Sequence, residues 1–585
     1  MVRSRPLKYS FCLIIACSVV FLARNIFSDS PDLDGGFQER AKCPTFPPSK
    51  GSNAETARCT ADGGKPMKCY KDGSDFYFPF SFLKRQLGVT GKTSKDAFEW
   101  QTSYAKVRAP EGNFYNPSGP FGHFATYNVE NRERVRCISA ETGVPMSTQW
   151  DPSPYYYPIQ IAQYGLQHYS RLKLENSTKE SVFLGTKTKE WKGSPGEIET
   201  SERVFFIDEE HGPVLNITSP DNVVNPGGYL FLHPDTAFGV VSFAWRPIEN
   251  ASFTILTRVT ATAKLILLNY VSGSDPKCVS LDIGSKVTDE QISFTYWLGD
   301  TPQLWQNVAR DVAVDAARAM STLAKKKDEN IIYHPGDLKL VTLGFHGHAT
   351  IEQRVKQSVA EHETFFLTAA DWMIRHQNAQ GGWAVPVERS IADRRLILSA
   401  GWHSAMAQGH GLSLLTRAYT HSKDLKYLES ASQAIDLFLR EANDGGIVNK
   451  LFGHTWYEEY PTTPGSYVLN GFMYSLIGLH DIRSVDTTTV DNVNITQAVK
   501  KAGDLFEAGM ASIKTFLPLY DTGSGSVYDL RHLGLKTAPN LARWDYHAVH
   551  VYLLKWLVQI TGDKQLDETA QRWIGYSYGK RAKHN

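Results

Sequence analysis

Two short stretches of this chain concentrate the side chains that could move protons. The first, Trp456 to Pro464, reads WYEEYPTTP, and the second runs from Leu519 to Tyr546 and includes YDTGSGSVYDLRHL and APNLARWDY. Neither has the apolar periodicity of a core segment, so both read as walls of one polysaccharide site. Trp456, Tyr457, Trp402 and Trp544 are available as platforms for sugar rings. Arg531 and Arg543, with Asn540 as an amide donor, suit the carboxylate of a uronate unit, which a guanidinium can grip with two parallel hydrogen bonds. Tyr460, Tyr528 and Tyr546 are the unusual element. A free phenol titrates near 10, and the arginines beside Tyr528 and Tyr546 are expected to lower that value, so that a tyrosine could take a proton next to a neutralised carboxylate. The bland alternative makes these tyrosines core aromatics bonded to backbone. Glu458 and Glu459 invite a glycosidase reading, but neighbours in extended chain point oppositely, so Asp521, Asp529 or Asp545 would have to supply the second carboxylate.

These groups need a scaffold, and 585 residues with a mass of 65.5 kDa suffice for two to four domains. The formal net charge is +1, from 62 basic against 61 acidic side chains, so nothing global points to nucleic acid, and an anionic ligand must meet a local basic patch. The 13 Trp and 27 Tyr fit carbohydrate handling as well as a large core.

The N-terminus reads as an address. Arg3, Arg5 and Lys8 precede an apolar run from Tyr9 to Ala23, which is expected to orient the N-terminus to the cytosol and the body to the lumen. A single-pass signal-anchor is the preferred reading and a cleaved signal peptide the alternative. Sequons at Asn176, Asn216, Asn250 and Asn494 agree with a lumenal body. Of seven cysteines, five lie outside the apolar run, so at most two disulfides are expected within the chain, drawn from Cys43, Cys59, Cys69 and Cys137. No Cys/His spacing suggests zinc.

Past a tail at 1–8, an anchor at 9–24 and a stem at 25–70, residues 71–179 are strand-rich. There Arg132, Arg134 and Arg136 recur at period two and would share one strand face, either solvated or a strip for sulfate or carboxylate groups. Tyr155 to Tyr169 has helical spacing. Residues 180–300 alternate as an antiparallel β-sandwich. From 301 to 585 the pattern is helical, opening with an amphipathic helix from Pro302 to Lys325. Gly- and Trp-rich loops between the later helices suggest an incomplete (α/α) barrel. The fold class is therefore α+β multidomain: an N-terminal β domain, a central antiparallel β-sandwich and a C-terminal incomplete (α/α) barrel.

Long ordered motifs give a family resemblance. HTWYEEYPTTP at His454, LNGFMYSLIGL at Leu469, LPLYDTGSGSVYDLRHL at Leu517, APNLARWDYH at Ala538, GWHSAMAQG at Gly401, STQW at Ser147, YPIQIAQYGL at Tyr157 and the terminal RAKHN together resemble the heparan sulfate/heparin glucuronyl C5-epimerases. The resemblance implies a type II Golgi membrane enzyme, a homodimeric isomerase that inverts C5 of D-glucuronate to L-iduronate in an N-sulfated heparan precursor. It places essential tyrosines at Tyr460, Tyr528 and Tyr546 with Glu459 as the neighbouring acid, and substrate contacts at Arg531, Asn540, Arg543, Asn470 and Tyr474. No cofactor is implied for the chemistry; a structural calcium ion is implied in the β region, with ligands that the sequence does not identify. Two segments depart from the family pattern: 480–497 reads as a polar surface insertion, and 390–399 matches poorly. The competing expectations are a uronate polysaccharide lyase and a catalytically silent heparan-binding lumenal protein.

Overall fold

In the computed structural model the described residues are 55–60, 66–81, 90–94, 97–101, 120, 122–174, 180–193, 198–200, 212–219, 226–275, 277–282, 291–300, 303–322 and 337–583. The apolar run, Cys43 and the Asn176 sequon lie outside them. Among the described residues no helix is long and apolar enough to cross a membrane, and no group of three His, Cys, Asp or Glu could hold a metal ion. The chain divides into two compact units, 1–102 and 103–585. The first contains an antiparallel sheet of Glu55–Cys59, Met67–Asp72 and Asp75–Tyr77, stapled by Cys59–Cys69, and a hairpin of Thr90–Ser94 with Ala97–Gln101.

The second unit is a mixed α+β body with two cores. One forms inside a sheet organised by two long strands, Val240–Val259 and Leu338–Glu352, paired antiparallel along most of their length. Register shifts between Pro247 and Ser252 bend the first strand. Its opening residues pair with Gln306–Asp311, and its closing residues pair with Leu265–Val271. The bend brings Phe243 and Trp245 of the opening half against Phe253 of the closing half, at ring separations of 5.2 and 5.5 Å. One pair, Leu265–Val271 with Gln291–Trp297, runs parallel, so the sheet is not wholly antiparallel as the alternation predicted.

Helices build the other core: α1 Pro158–Leu174, α3 His362–Arg375, α4 Ala405–Ser422, α5 Lys426–Ala434, α6 Leu469–Arg483, α7 Val493–Phe516, α8 Trp544–Thr561 and α9 Lys564–Ser577, whereas α2 Val312–Met320 packs its apolar residues into the sheet core. Their ends obey local chemistry. Asn492 caps α7 by accepting from the backbone of Asn494 and Ile495, and Asp563 caps α9 by accepting from Leu566; each such cap stabilises by about 1 kcal/mol. Lys423 and Gly562 take left-handed conformations that end α4 and α8. The helices α1, α4 and α6 are buried over most of their surface, whereas α7 and α9 bury one stripe and show the other to solvent. Gly478 explains how tightly α4 and α6 meet: a Cβ there would lie 2.2 Å from the carbonyl oxygen of Gly409. Segment 124–166 contributes to the helical core and segment 306–355 to the sheet core.

Four local expectations are corrected. The stripe over Pro302 to Lys325 is a strand, Gln306–Asp311, followed by the short α2, because Gln306 to Asp311 completes the ladder on Val240–Trp245. Arg132, Arg134 and Arg136 do not share a strand face: the strand begins at Val135, and Arg136 turns to the carbonyl of Val279. Cys278, outside the expected four, pairs with Cys137 across the sheet core. Within 480–497, His480 to Ile482 complete the buried end of α6, and Asp481 pairs with Arg417 at 2.5 Å, leaving only the connection at 484–492 as a polar surface segment. Of the remaining sequons, Asn250 and Asn494 are exposed and Asn216 is half-buried.

Candidate active site

Glu458, Glu459 and Tyr460 follow the strand His454–Tyr457 in a segment that bends at Glu459 and Tyr460, and the two carboxylates point apart. Glu458 turns inward, where Asn449 Nδ2, Ser466 Oγ and the Tyr467 backbone N–H each donate to it at 2.9 Å. Glu459 turns the other way into a cleft of about 910 Å³ that is open to solvent. Its carboxylate lies against α6 because residue 471 is glycine: a Cβ there would sit 2.5 Å from Glu459 Oε2. Asn470 Nδ2 donates to the same oxygen at 3.3 Å.

The rest of the cleft is assembled from four directions. On α6, Asn470 and Tyr474 are four residues apart and so share a face; on α8, Tyr546, Val549 and Tyr552 do the same at spacings of three. Tyr157 and Gln160 come from the start of α1, and Tyr127, Arg132 and Arg134 from the turns before the Val135–Ile138 strand. Tyr127 donates to the Tyr474 hydroxyl at 2.7 Å, and Tyr474 contacts the Tyr552 hydroxyl. Two lining side chains keep unspent hydrogen-bonding capacity in a buried setting: both amide atoms of Gln160 and the Oδ1 of Asn470 have no partner among the described residues. Buried polar atoms are normally satisfied, and those that are not suit a ligand.

Burial governs the acid–base character here. It pushes the Glu459 carboxyl up to about 7, against hydrogen bonds from Tyr460 and Asn470 and the Arg389 charge, which favour the ionised form. Burial and then Glu459 hold the Tyr460 and Tyr528 phenols well above the ordinary value, and the same two causes raise Tyr546. This corrects the expectation that arginines would make a tyrosine basic. Arg134 and Arg543 do lower the Tyr546 phenol, but desolvation and the nearby carboxylates outweigh them. Glu459 is therefore the group able to take a proton near neutral pH, and the phenols are protonated donors.

Residues 377–575 match a family model described as the D-glucuronyl C5-epimerase C-terminus, and residues 211–348 match one described as the D-glucuronyl C5-epimerase beta-sandwich domain. The chain is 50% identical to the D-glucuronyl C5-epimerase of Caenorhabditis elegans, over 100% of this chain and 99% of that protein. This chain belongs to the D-glucuronyl C5-epimerase family. An uncharacterized protein of Methanocaldococcus jannaschii is 32% identical over 30% of this chain and 53% of its own length.

For an epimerase of this family the sequence-expected residues divide into groups. Glu459, Tyr460, Tyr546, Asn470 and Tyr474 line one cleft. Tyr528 stands directly behind, its ring 4.8 Å from that of Tyr546. Arg531 and Asn540 gather round Asp529 instead, at 3.2 and 2.7 Å, and Arg543 pairs with Asp545 at 2.7 Å at the exposed rim. Two expected platforms are core: Trp456 and Tyr457 are fully buried, the first stacked on Phe472 at 3.8 Å, the second donating to the Leu505 carbonyl. Sequence reasoning passed over Gln160, although Gln160, Gln163 and Gln167 recur at helical spacing among the apolar residues of 158–167 and so mark a polar stripe. It also passed over Arg389.

Proposed function

We propose that the chain inverts C5 of D-glucuronyl units within a polysaccharide, with Glu459 removing the C5 proton on one face and Tyr546 supplying a proton on the other. The observation that carries this reading is the placement in one cleft of a carboxyl titrating near 7 with a protonated phenol. Inversion by proton exchange needs two groups, since a single base would return the proton to the face it came from. Removing the proton places negative charge on the C5 carboxylate, and a cation must hold that charge; Arg134 lines the cleft beside Tyr546 and is suited to do so. Asn470 Oδ1 and the Gln160 amide would receive and donate to sugar hydroxyls, while Tyr460 and Tyr528 keep the base and acid in register. Glu459 then releases to solvent the proton it took and the Tyr546 phenolate takes one back from solvent, so the site is reset and solvent hydrogen enters at C5.

The finer reading follows from the family resemblance. It comprises an N-sulfated heparan precursor as substrate, and a Golgi type II glycoprotein acting as a homodimer that is anchored through the apolar run. It also comprises a strand-rich N-terminal region, a β-sandwich and an incomplete (α/α) barrel, with a calcium ion in the β region. The exposed sequons at Asn250 and Asn494 support a glycosylated lumenal body. Incubating the full chain with an N-sulfated D-glucuronyl polymer that lacks O-sulfate groups in deuterated water tests the function. Deuterium at C5 with iduronyl units and unchanged chain length is the expected result; shortened chains with unsaturated uronyl ends would assign a lyase instead.

A further inference from the structure

Arg389 stands beside the cleft residue Tyr460 and makes no ion pair among the described residues. It opens the hairpin Arg389–Ile391 with Leu396–Leu398, whose Ile391, Leu396 and Leu398 are buried in the helical core, so its backbone is fixed. Its guanidinium lies over two rings, 4.8 Å from the centre of Trp150 and 5.5 Å from that of Tyr460. The rings belong to a cluster: Trp150 lies 5.0 Å from Tyr157 and 5.9 Å from Trp402, and Trp402 lies 5.8 Å from Tyr460. Trp402 is pinned by its indole N–H to the Val387 carbonyl at 3.1 Å. Among the described residues Arg389 makes no hydrogen bond and no ion pair; its Nε is buried without a partner, and the nearby Glu388 faces Arg394.

A guanidinium held over aromatic rings still has N–H groups at its edge, a fork matched to two oxygens of one anion. A buried N–H such as this Nε is ordinarily paired within the protein. Its field already reaches the reacting groups, favouring the ionised forms of Glu459, Tyr460 and Tyr157. Trp150, Trp402 and Arg389 border the cleft without lining the part that holds Glu459 and Tyr546. A ligand touching them is therefore a neighbour of the reacting unit.

Building on the function proposed above, we infer that Arg389 and Trp150 form a flanking subsite, in which the guanidinium grips an oxyanion of a neighbouring sugar unit along the chain from the one whose C5 is inverted. The oxyanion is either a uronate carboxylate or a sulfate. Arg389→Gln tests this on three substrates: an N-sulfated uronate polymer, the same polymer N-acetylated, and an N-acetylated trisaccharide with a single uronate. Wild-type C5 exchange in deuterated water is measured alongside; its absence would sink the functional reading, whereas its presence with an unaffected variant would sink only this inference. If a sulfate is gripped, kcat/KM falls about tenfold through KM on the N-sulfated polymer alone. If a carboxylate is gripped, the fall appears on both polymers and not on the trisaccharide. Arg389→Lys should recover part of the KM loss, because charge returns without the fork. A loss equal on all three substrates, or values within twofold of wild type on all three, overturns the subsite. Should Arg389→Gln fail to fold, the Arg389→Lys comparison across the same substrates decides in the same way.

Discussion

The sheet core and the helical core each bury tyrosines around an acid and an arginine, and they leave those groups in opposite states. In the sheet, Arg310 donates to both oxygens of Asp315 at 2.8 and 2.6 Å and to the carbonyls of Ser139 and Ile138, while Tyr270 donates to Asp315 at 2.7 Å and Tyr296 to its backbone. Both charges in that pair are fully engaged, and both rings lie under the guanidinium. At the cleft, Glu459 receives an amide bond from Asn470 at 3.3 Å and a hydrogen bond from Tyr460, and among the described residues Arg389 makes no ion pair and Gln160 and Asn470 keep unpaired atoms. Completed networks hold a fold together, whereas incomplete ones with the same composition wait for a ligand. The neighbours Glu458 and Glu459 repeat the contrast one residue apart: burial lifts both to about 7, but Glu458 has three donors at 2.9 Å.

The largest expected effect comes from the incomplete side. Glu459→Gln should lower kcat/KM by about 10²- to 10⁴-fold, the usual contribution of a positioned base, with a melting temperature at pH 8 no lower than wild type. A carboxyl whose folded value is raised is destabilised in its charged form, so its burden grows as pH rises from the unfolded value towards 7. A matching loss of stability would move Glu459 to the structural class. Next, Asp315→Ala should cost about 3–5 kcal/mol in denaturant unfolding, because it strands Arg310 inside the sheet core; a cost under about 1 kcal/mol would break the comparison. Third, kcat/KM should fall about tenfold per pH unit below about 7, as the base is protonated, and rise to a plateau above it. The smallest effect belongs to the rim: Arg543→Ala removes a largely exposed pair with Asp545 and should change stability by less than about 1 kcal/mol.

Much of this contrast was legible in the sequence. The helices follow from 3.6-residue periodicity, and the separation of Glu458 from Glu459 is the one that alternation predicts. Glu459, Tyr460 and Tyr546 were readable because polar residues in Gly- and Pro-rich loops have no core role to explain them. What was not legible depends on partners distant in the chain. Gln306 to Asp311 has a helical stripe and becomes a strand because Val240–Trp245 offers a ladder. Trp456 and Tyr457 look like sugar platforms until Phe472 and Tyr520 cover the Trp456 ring. Tyr528 and Tyr546 sit beside arginines in sequence, yet burial and Glu459, a residue 69 and 87 positions away, decide their protonation. Arg389 carries no local signal, since its meaning lies in Trp150 and Tyr460.

The account turns on Glu459 and Tyr546 working on opposite faces of one carbon. It is tested most directly by following deuterium incorporation at C5 of a D-glucuronyl polymer with Tyr546→Phe and Glu459→Gln side by side. Tyr546→Phe should still exchange C5 hydrogen into D-glucuronyl units while forming almost no iduronyl units, because the base remains and the opposite-face donor is gone. Glu459→Gln should do neither. Exchange at the wild-type rate in Glu459→Gln, or undiminished inversion in Tyr546→Phe, would contradict it.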